Sequence, residues 1–261
     1  MTTTKFSRFL LIFFMAFGLS ACASTSNGTY DPLEPVNRVM FDVHNSIDRA
    51  VLKPAAKAYG ILPEPARQGV GNFFSNLGEP FSMVNNLLQG KFTKAGASLA
   101  RFGINSTIGL AGLIDVASAM GIERHKEDFG QTLGHYGVGP GPYIFIPVLG
   151  PTTLRDGAGQ VGTTTLDSNA WDEAGVTDSE YAGATVLNGL HFRHEGLDLL
   201  DEIEKSSIDY YASVRSLYLQ NRASEIKDGK TDIDDLPDLD MFDDEDGYYD
   251  DASDNKEKDF K

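Results

Sequence analysis

Apolar positions along this chain fall into helical stripes far more often than into alternation. Val36, Val39, Met40, Val43, Ile47 and Val51 recur at the three- and four-residue steps that place side chains on one face of an α-helix. That stretch opens on Asp31-Pro32-Leu33-Glu34: an N-cap acid, a proline at the first helical position and a glutamate three residues after the cap. It is predicted to run to a break near Pro54. The same reasoning predicts helices over Glu64 to Leu77, Pro80 to Gln89 with Gly90 as its stop, and Lys91 to Asn105. Shorter helices are predicted over Asp128 to Tyr136 and, behind a threonine cap, Thr152 to Leu166. After Trp171, Tyr181 to Glu204 and Ser207 to Lys227 complete the pattern, with Gly229 ending the last. Only Tyr143 to Gly150 reads as extended, and its Pro147 argues against a central strand. With no series of alternating strands and no internal repeat, barrels, sandwiches and Rossmann sheets are excluded, and the expected fold class is all-α.

Two stretches are too apolar for an ordinary soluble surface. Between Arg101 and Glu123 the sole charge in 21 residues is Asp115, and Gly139 to Pro151 is uncharged and punctuated by Pro140, Pro142, Pro147 and Pro151. One reading is a buried helix pair with a core-lining loop. The other is a surface that touches acyl chains, carried by Phe102, Leu110, Leu113, Ile114 and Asp115 in the first stretch and Tyr143, Ile144, Phe145 and Ile146 in the second. A lone carboxylate in an apolar setting is paired or faces water, which makes Asp115 a probe of the site.

Charge changes the picture at both ends. The 261 residues carry 38 acids against 22 bases, but Asp228 to Lys261 alone holds 15 acids and 4 bases. That tail has almost no aliphatic residues, cannot bury enough surface to offset ordering, and is expected to be disordered. Asp243 to Gly247 fails as a calcium loop, since Phe242 and Ser253 fall where ligating acids belong. No basic cluster exists to neutralise phosphates, so no nucleic-acid partner is expected.

At the other end, Lys5 and Arg8 precede the apolar run Phe9 to Leu19, too short for the ~20 residues a spanning helix needs but right for a signal peptide. The run ends in Leu19-Ser20-Ala21-Cys22, which resembles the bacterial lipobox. Cys22, the sole cysteine, is then the lipidated first residue of the mature chain. Ala23 after it, rather than Asp, implies sorting to the outer membrane in Gram-negative cells. The expected organisation is therefore signal peptide 1–21, lipidated tether 22–30, helical domain 31–227 and acidic tail 228–261.

Motifs for chemistry are weak. Gly96-Ala97-Ser98-Leu99-Ala100 lacks the second glycine and the preceding strand of a nucleophile elbow. His191 and His194 with Glu195 match neither metalloprotease spacing, and read as a chance pair on a helix face. Gly134, Gly137, Gly139 and Gly141 are interrupted by prolines that remove amide donors from any phosphate cradle. No Walker A pattern is present. No catalytic residue, metal or cofactor is expected.

Six ordered blocks over about 125 residues carry a resemblance. They are Asp31-Pro-Leu-Glu-Pro-Val-Asn-Arg-Val-Met-Phe41, Asn72-Phe-Phe-Ser-Asn-Leu-Gly-Glu-Pro80, Asn85-Asn-Leu-Leu-Gln-Gly90, Arg101-Phe-Gly-Ile-Asn105, Phe129 to Tyr143 and Pro147 to Asp156. Behind a lipobox, this pattern resembles the MlaA (VacJ) family of outer-membrane lipoproteins. The motif positions are Asn37, Phe41, Asn72, Phe73, Asn76, Pro80, Asn85, Gln89, Arg101, Asn105, Phe129, Gly130, Gly134, Gly137, Arg155 and Asp156. The resemblance implies a ring-like helical body within the outer membrane, enclosing an amphipathic channel through which outer-leaflet glycerophospholipids pass to the periplasm. It implies trimeric porins and a soluble periplasmic lipid carrier similar to MlaC as partners. The competing classes are a structural lipoprotein that scaffolds porins without moving lipid, and a periplasm-facing lipid hydrolase.

Overall fold

Helix begins at Glu34 rather than at Pro32, because Asp31 to Glu34 form a turn ahead of it: the Asp31 carboxylate accepts from Leu33 N at 3.2 Å and from Asn37 Nδ2 at 2.9 Å, and Glu34 N donates to Asp31 O at 3.2 Å. The computed structural model describes residues 31–229. Cys22, the signal peptide, the tether and the tail from residue 230 lie outside the described residues. Helix α1 (Glu34–Ile47) does not break before Pro54. It passes through a π-helical turn, Asp48–Leu52, into α2 (Lys53–Tyr59), the wider turn accommodating the ring and missing donor of Pro54. Likewise the two helices expected around Gly78 are one 25-residue helix, α3 (Glu64–Leu88), with Pro80 inside it.

Helix α4 (Phe92–Thr107) returns antiparallel along α3 after a turn at Gly90, whose φ of +74° suits glycine. A short α5 (Val116–Ala119) is capped by Asp115, and α6 (Phe129–His135) by Asp128, each carboxylate accepting a backbone N–H three residues on. The stretch expected to be merely extended pairs with the next: β1 (Tyr143–Ile146) and β2 (Gly150–Thr153) form an antiparallel hairpin, Tyr143 opposite Thr153. Thr152 is therefore in a strand and Thr153 is the cap of α7 (Leu154–Glu173). Gly196 splits the long helix expected over Tyr181 to Glu204 into α8 (Asp178–Glu195) and α9 (Leu197–Ser206). Helix α10 (Tyr210–Ile226) closes the body, which is mostly helical as its patterning predicts.

Packing closes a circuit: α3 lies on α4 and α6, α6 on α7, α7 leads into α8, and α8 returns to α2 and α3. The apolar core is small and aromatic. Phe41, Tyr143, Phe145 and Tyr211 pack edge-to-face where α1, the hairpin and α10 meet. Asn37 welds this junction, its Oδ1 accepting from Phe145 N at 3.0 Å while its Nδ2 donates to Tyr143 O at 2.9 Å.

Elsewhere the usual distribution is inverted. On α1 the stripe Val36, Val39 and Val43 is exposed, and Asn37, with Phe41, faces inward. On α3 the buried residues are Asn76, Glu79, Ser82, Asn85 and Asn86, while Val84, Leu87 and Leu88 face out. On α4 Ser98, Arg101 and Asn105 are buried and Phe92 and Leu99 are exposed. A soluble protein packs such stripes inward. Here they are left on the outside around a hydrogen-bonded polar interior.

Candidate functional site

A cavity of about 530 Å³ opens between the first half of α3, the α4–α5 region and α8. Its walls are polar: Glu64, Arg67, Gln68, Asn72 and Ser75 from α3, Arg101 from α4, Asp115 and Ser118 around α5, Arg124, and His191 and Glu195 from α8. Glycine makes the cavity wall possible. A Cβ on Gly71 would come within 2.5 Å of His191 Nε2, so glycine here leaves room for the His191 ring against α3.

Arg101 organises one wall. Its side chain is 2% exposed and donates to Glu79 Oε1 at 2.8 Å, Asp115 Oδ2 at 2.8 Å, Ser118 Oγ at 2.9 Å and Ile122 O at 2.7 Å. Asp115, the lone charge of its stretch, is thus paired, and Asn105 Nδ2 donates to its other oxygen at 3.0 Å. Burial would raise the Asp115 pKa, but bonds from Ser118, Arg101 and Asn105 outweigh it and hold the group well below the usual carboxylate range. It is ionised at neutral pH.

The expected residues sort into three groups. Asn72, Arg101 and Asp115 line the cavity, with Asn76 and Asn105 bonded just behind them. Leu113 sits at its rim, its carbonyl accepting from Asn72 Nδ2 at 3.2 Å. Leu110 and Ile114 are exposed beside it, on a turn where Leu110, Ala111 and Gly112 all take positive φ. Left-handed backbone costs a non-glycine residue roughly 1–2 kcal/mol. Phe102 and Phe73 are half-buried on the α3–α4 pair.

The second group is the aromatic junction. Tyr143 and Phe145 are 1% and 3% exposed and packed against Phe41, out of reach of an acyl chain, which corrects the lipid-contact expectation for these two. Of the same strand Ile144 is half-buried and Ile146 exposed. The third group ties α6 to α7 and α10. Asp156 accepts from Arg155, Arg222 and Tyr218, and Arg222 also grips Asp128 at 2.7 Å. Gly130 and Gly134 allow this approach, since a Cβ on either would come within 2.7 Å of Asp156 or Ile226. Gly137, at φ +82°, turns the chain after α6. Asn85 of α3 and Gln89 just past its end reach Thr132, Pro80 lies inside that helix, and Phe129 is exposed at the start of α6.

Sequence reasoning missed Glu64, Arg67 and Arg124, which line the cavity but belong to no expected set. The histidines it set aside are structural in part: His191 Nδ1 lies 3.1 Å from Tyr59 Oη, and His194 Nδ1 is 3.1 Å from Ala56 O. Ser98 is fully buried and its hydroxyl has no hydrogen-bond partner, so no base activates it. No helix among the described residues is long and apolar enough to cross a membrane.

With this geometry in hand, comparison with known proteins is decisive. The sequence profile of the MlaA lipoprotein family matches residues 29–225. The chain belongs to the MlaA lipoprotein family. It is 38% identical over 210 residues to the intermembrane phospholipid transport system lipoprotein MlaA of Escherichia coli K12, covering 77% of this chain and 82% of that one. The MlaA of Haemophilus influenzae is 35% identical over 226 residues, 82% of this chain and 88% of that one. A solved structure described as the structural basis for maintenance of bacterial outer membrane lipid asymmetry superposes with a TM-score of 0.67 at 39% identity, covering 76% of this chain and all of the other. The relatives it matches are named as transport lipoproteins.

Proposed function

We propose that this chain is an outer-membrane lipoprotein that carries mislocalised glycerophospholipids from the outer leaflet toward the periplasm, maintaining lipid asymmetry. The observation that carries the reading is the inversion: apolar stripes of α1, α3 and α4 face outward around a polar, charged cavity. Such a body is stable where its surroundings are acyl chains, held by faces rather than by a spanning helix, with Cys22 as lipid anchor. The names of the matching relatives, phospholipid transport lipoproteins, support the same role.

The physical need is large. Each methylene leaving lipid for water costs about 0.8 kcal/mol, so a two-chain lipid of roughly thirty methylenes costs on the order of 20 kcal/mol to extract unaided. In this reading the headgroup travels through the polar cavity while its chains stay against the exposed apolar residues Leu110, Leu113 and Ile114 beside it, and against the exposed Ile146 of the hairpin. No chemistry is required. A periplasmic carrier similar to MlaC receives the lipid, and trimeric porins surround the body. Porin scaffolding alone is the alternative, and it gives no role to a charged cavity.

The test is to place a carboxylate in the path. Leu113→Asp and Ile146→Asp alter exposed side chains, so abundance and porin association stay near normal. Outer-leaflet phospholipid rises and cells become sensitive to detergent with chelator. Stable variants with unchanged leaflet composition would refute the lipid path.

A further inference from the structure

The charges that line the cavity divide into those consumed inside the protein and those left for a guest. Arg101 is consumed, since Glu79 and Asp115 both hold it at 2.8 Å. Arg67 is not: it donates to Leu62 O at 3.2 Å and meets the His194 ring, neither of them an anion. Arg124 has one carboxylate oxygen within reach, Glu79 Oε1 at 3.8 Å, and that atom already accepts from Arg101. On the acidic side, Glu64 takes only the neutral amide of Gln68 at 2.9 Å. The Glu195 carboxylate lines the cavity and makes no hydrogen bond or ion pair among the described residues. What is left for a guest is therefore two cations and two carboxylates.

That balance discriminates among guests. A guest with one negative charge satisfies Arg67 and Arg124 but meets repulsion from Glu64 and Glu195. A guest that carries a phosphodiester and an ammonium a few bonds apart satisfies both pairs. The His191 ring lies over Gly71 on the wall between these charges, and about 530 Å³ lies within the range of small-molecule sites.

We propose that this cavity selects the headgroup of zwitterionic glycerophospholipids over singly anionic ones, Arg67 and Arg124 meeting the phosphodiester and Glu64 and Glu195 the ammonium. The proposal rests on the lipid-transport reading above and adds a headgroup preference to it. The carboxylates are the selective element, because the arginines greet any phospholipid.

The experiment uses the full-length lipidated protein reconstituted into vesicles of equal phosphatidylethanolamine and phosphatidylglycerol, then repurified and its bound lipid measured by mass spectrometry. Wild type is expected to hold phosphatidylethanolamine in about threefold excess, in line with partly exposed charge pairs. Glu195→Lys removes and reverses an exposed, unpartnered charge, leaves circular dichroism unchanged, and turns the excess toward phosphatidylglycerol. Glu64→Gln brings the ratio near unity. Arg124→Gln lowers both lipids together. Asp172→Lys, an equal charge change on α7 outside the cavity, leaves the ratio as in wild type. Bound lipid at the vesicle ratio in wild type and every variant, or an equal shift in Asp172→Lys, would overturn the headgroup selection while leaving lipid transport intact. A wild-type protein that holds no phospholipid would overturn both.

Discussion

Arg101 Nη2 lies 2.8 Å from Asp115 Oδ2, which joins the middle of α4 to the cap of α5 across one wall of the cavity. The same guanidinium reaches Glu79 from its Nε, so one planar cation spans two carboxylates, a hydroxyl and a carbonyl. This is geometry that lysine cannot copy. Arg101→Ala leaves Glu79 buried without its cation and is expected to cost about 3–5 kcal/mol. Asp115→Asn retains the Glu79 contact and is expected to cost about 1–3 kcal/mol. Arg101→Lys should resemble the alanine variant more than wild type. Denaturant midpoints of the detergent-solubilised protein give the ranking, and an Arg101→Ala protein as stable as wild type would remove Arg101 as the organiser of the wall.

Glycine separates close packing from mere helix. A Cβ on Gly159 would stand 2.7 Å from Gly130 N, so α6 and α7 must part to admit it. Gly162, one turn later on α7, has nothing within 4 Å. Gly159→Ala is expected to destabilise by about 1–3 kcal/mol. Gly162→Ala is expected to stabilise by up to about 1 kcal/mol through helix propensity. Thermal melts of the two variants check this, and equal shifts would mean that the α6–α7 contact is not tight.

Helical content and most helix positions were legible in the sequence because the 3.6-residue period survives whichever way a stripe faces. The direction was not. Val36, Val39 and Val43 announce a helix face, yet the period is the same whether that face meets a core or acyl chains. The inward polar residues are a sign that could have been read, since Asn76, Glu79, Ser82 and Asn86 recur on one face of α3 at steps of three and four. Proline misled in the other direction. Pro54 reads as a helix end and Pro80 as a helix start, but a π-helical turn absorbs the first and α3, packed on α4, runs through the second. The cavity was half legible: Arg101 and Asp115 stood out in an uncharged stretch, whereas Arg67, Arg124 and Glu195 look like ordinary surface charges until the fold brings them together.

Anchoring rests on Leu19-Ser20-Ala21-Cys22. The thiol of Cys22 is the atom to be alkylated, so Cys22→Ser is expected to remain an unprocessed precursor. Metabolic labelling with a fatty-acid analogue reads this directly, and equal label in variant and wild type would sink the lipoprotein assignment.

Ion pairs hold the first residue of the acidic stretch against the helical body. Asp228 was grouped with the tail, but its carboxylate lies 2.6 Å from Lys91 Nζ and 2.8 Å from Lys94 Nζ, closing the end of α10 onto the start of α4. Gly229 N also donates to Ser224 O at 2.8 Å, finishing the helix. Truncation after Gly229 should therefore leave stability unchanged, whereas truncation after Lys227 should cost about 1 kcal/mol, a value discounted for partial exposure. Burial alone would raise the Asp228 pKa, but the bonds from Lys91 and Lys94 outweigh it and bring it down to about 2. A carboxylate depressed in the folded state stabilises above its unfolded pKa near ~3.9 and loses that contribution as pH falls toward its folded value. The difference in melting temperature between the two truncations should accordingly be constant above about pH 5 and shrink between about pH 4 and pH 2. If it stays the same at low pH, the lost stability comes from the helix cap at Gly229 and not from the Asp228 ion pairs.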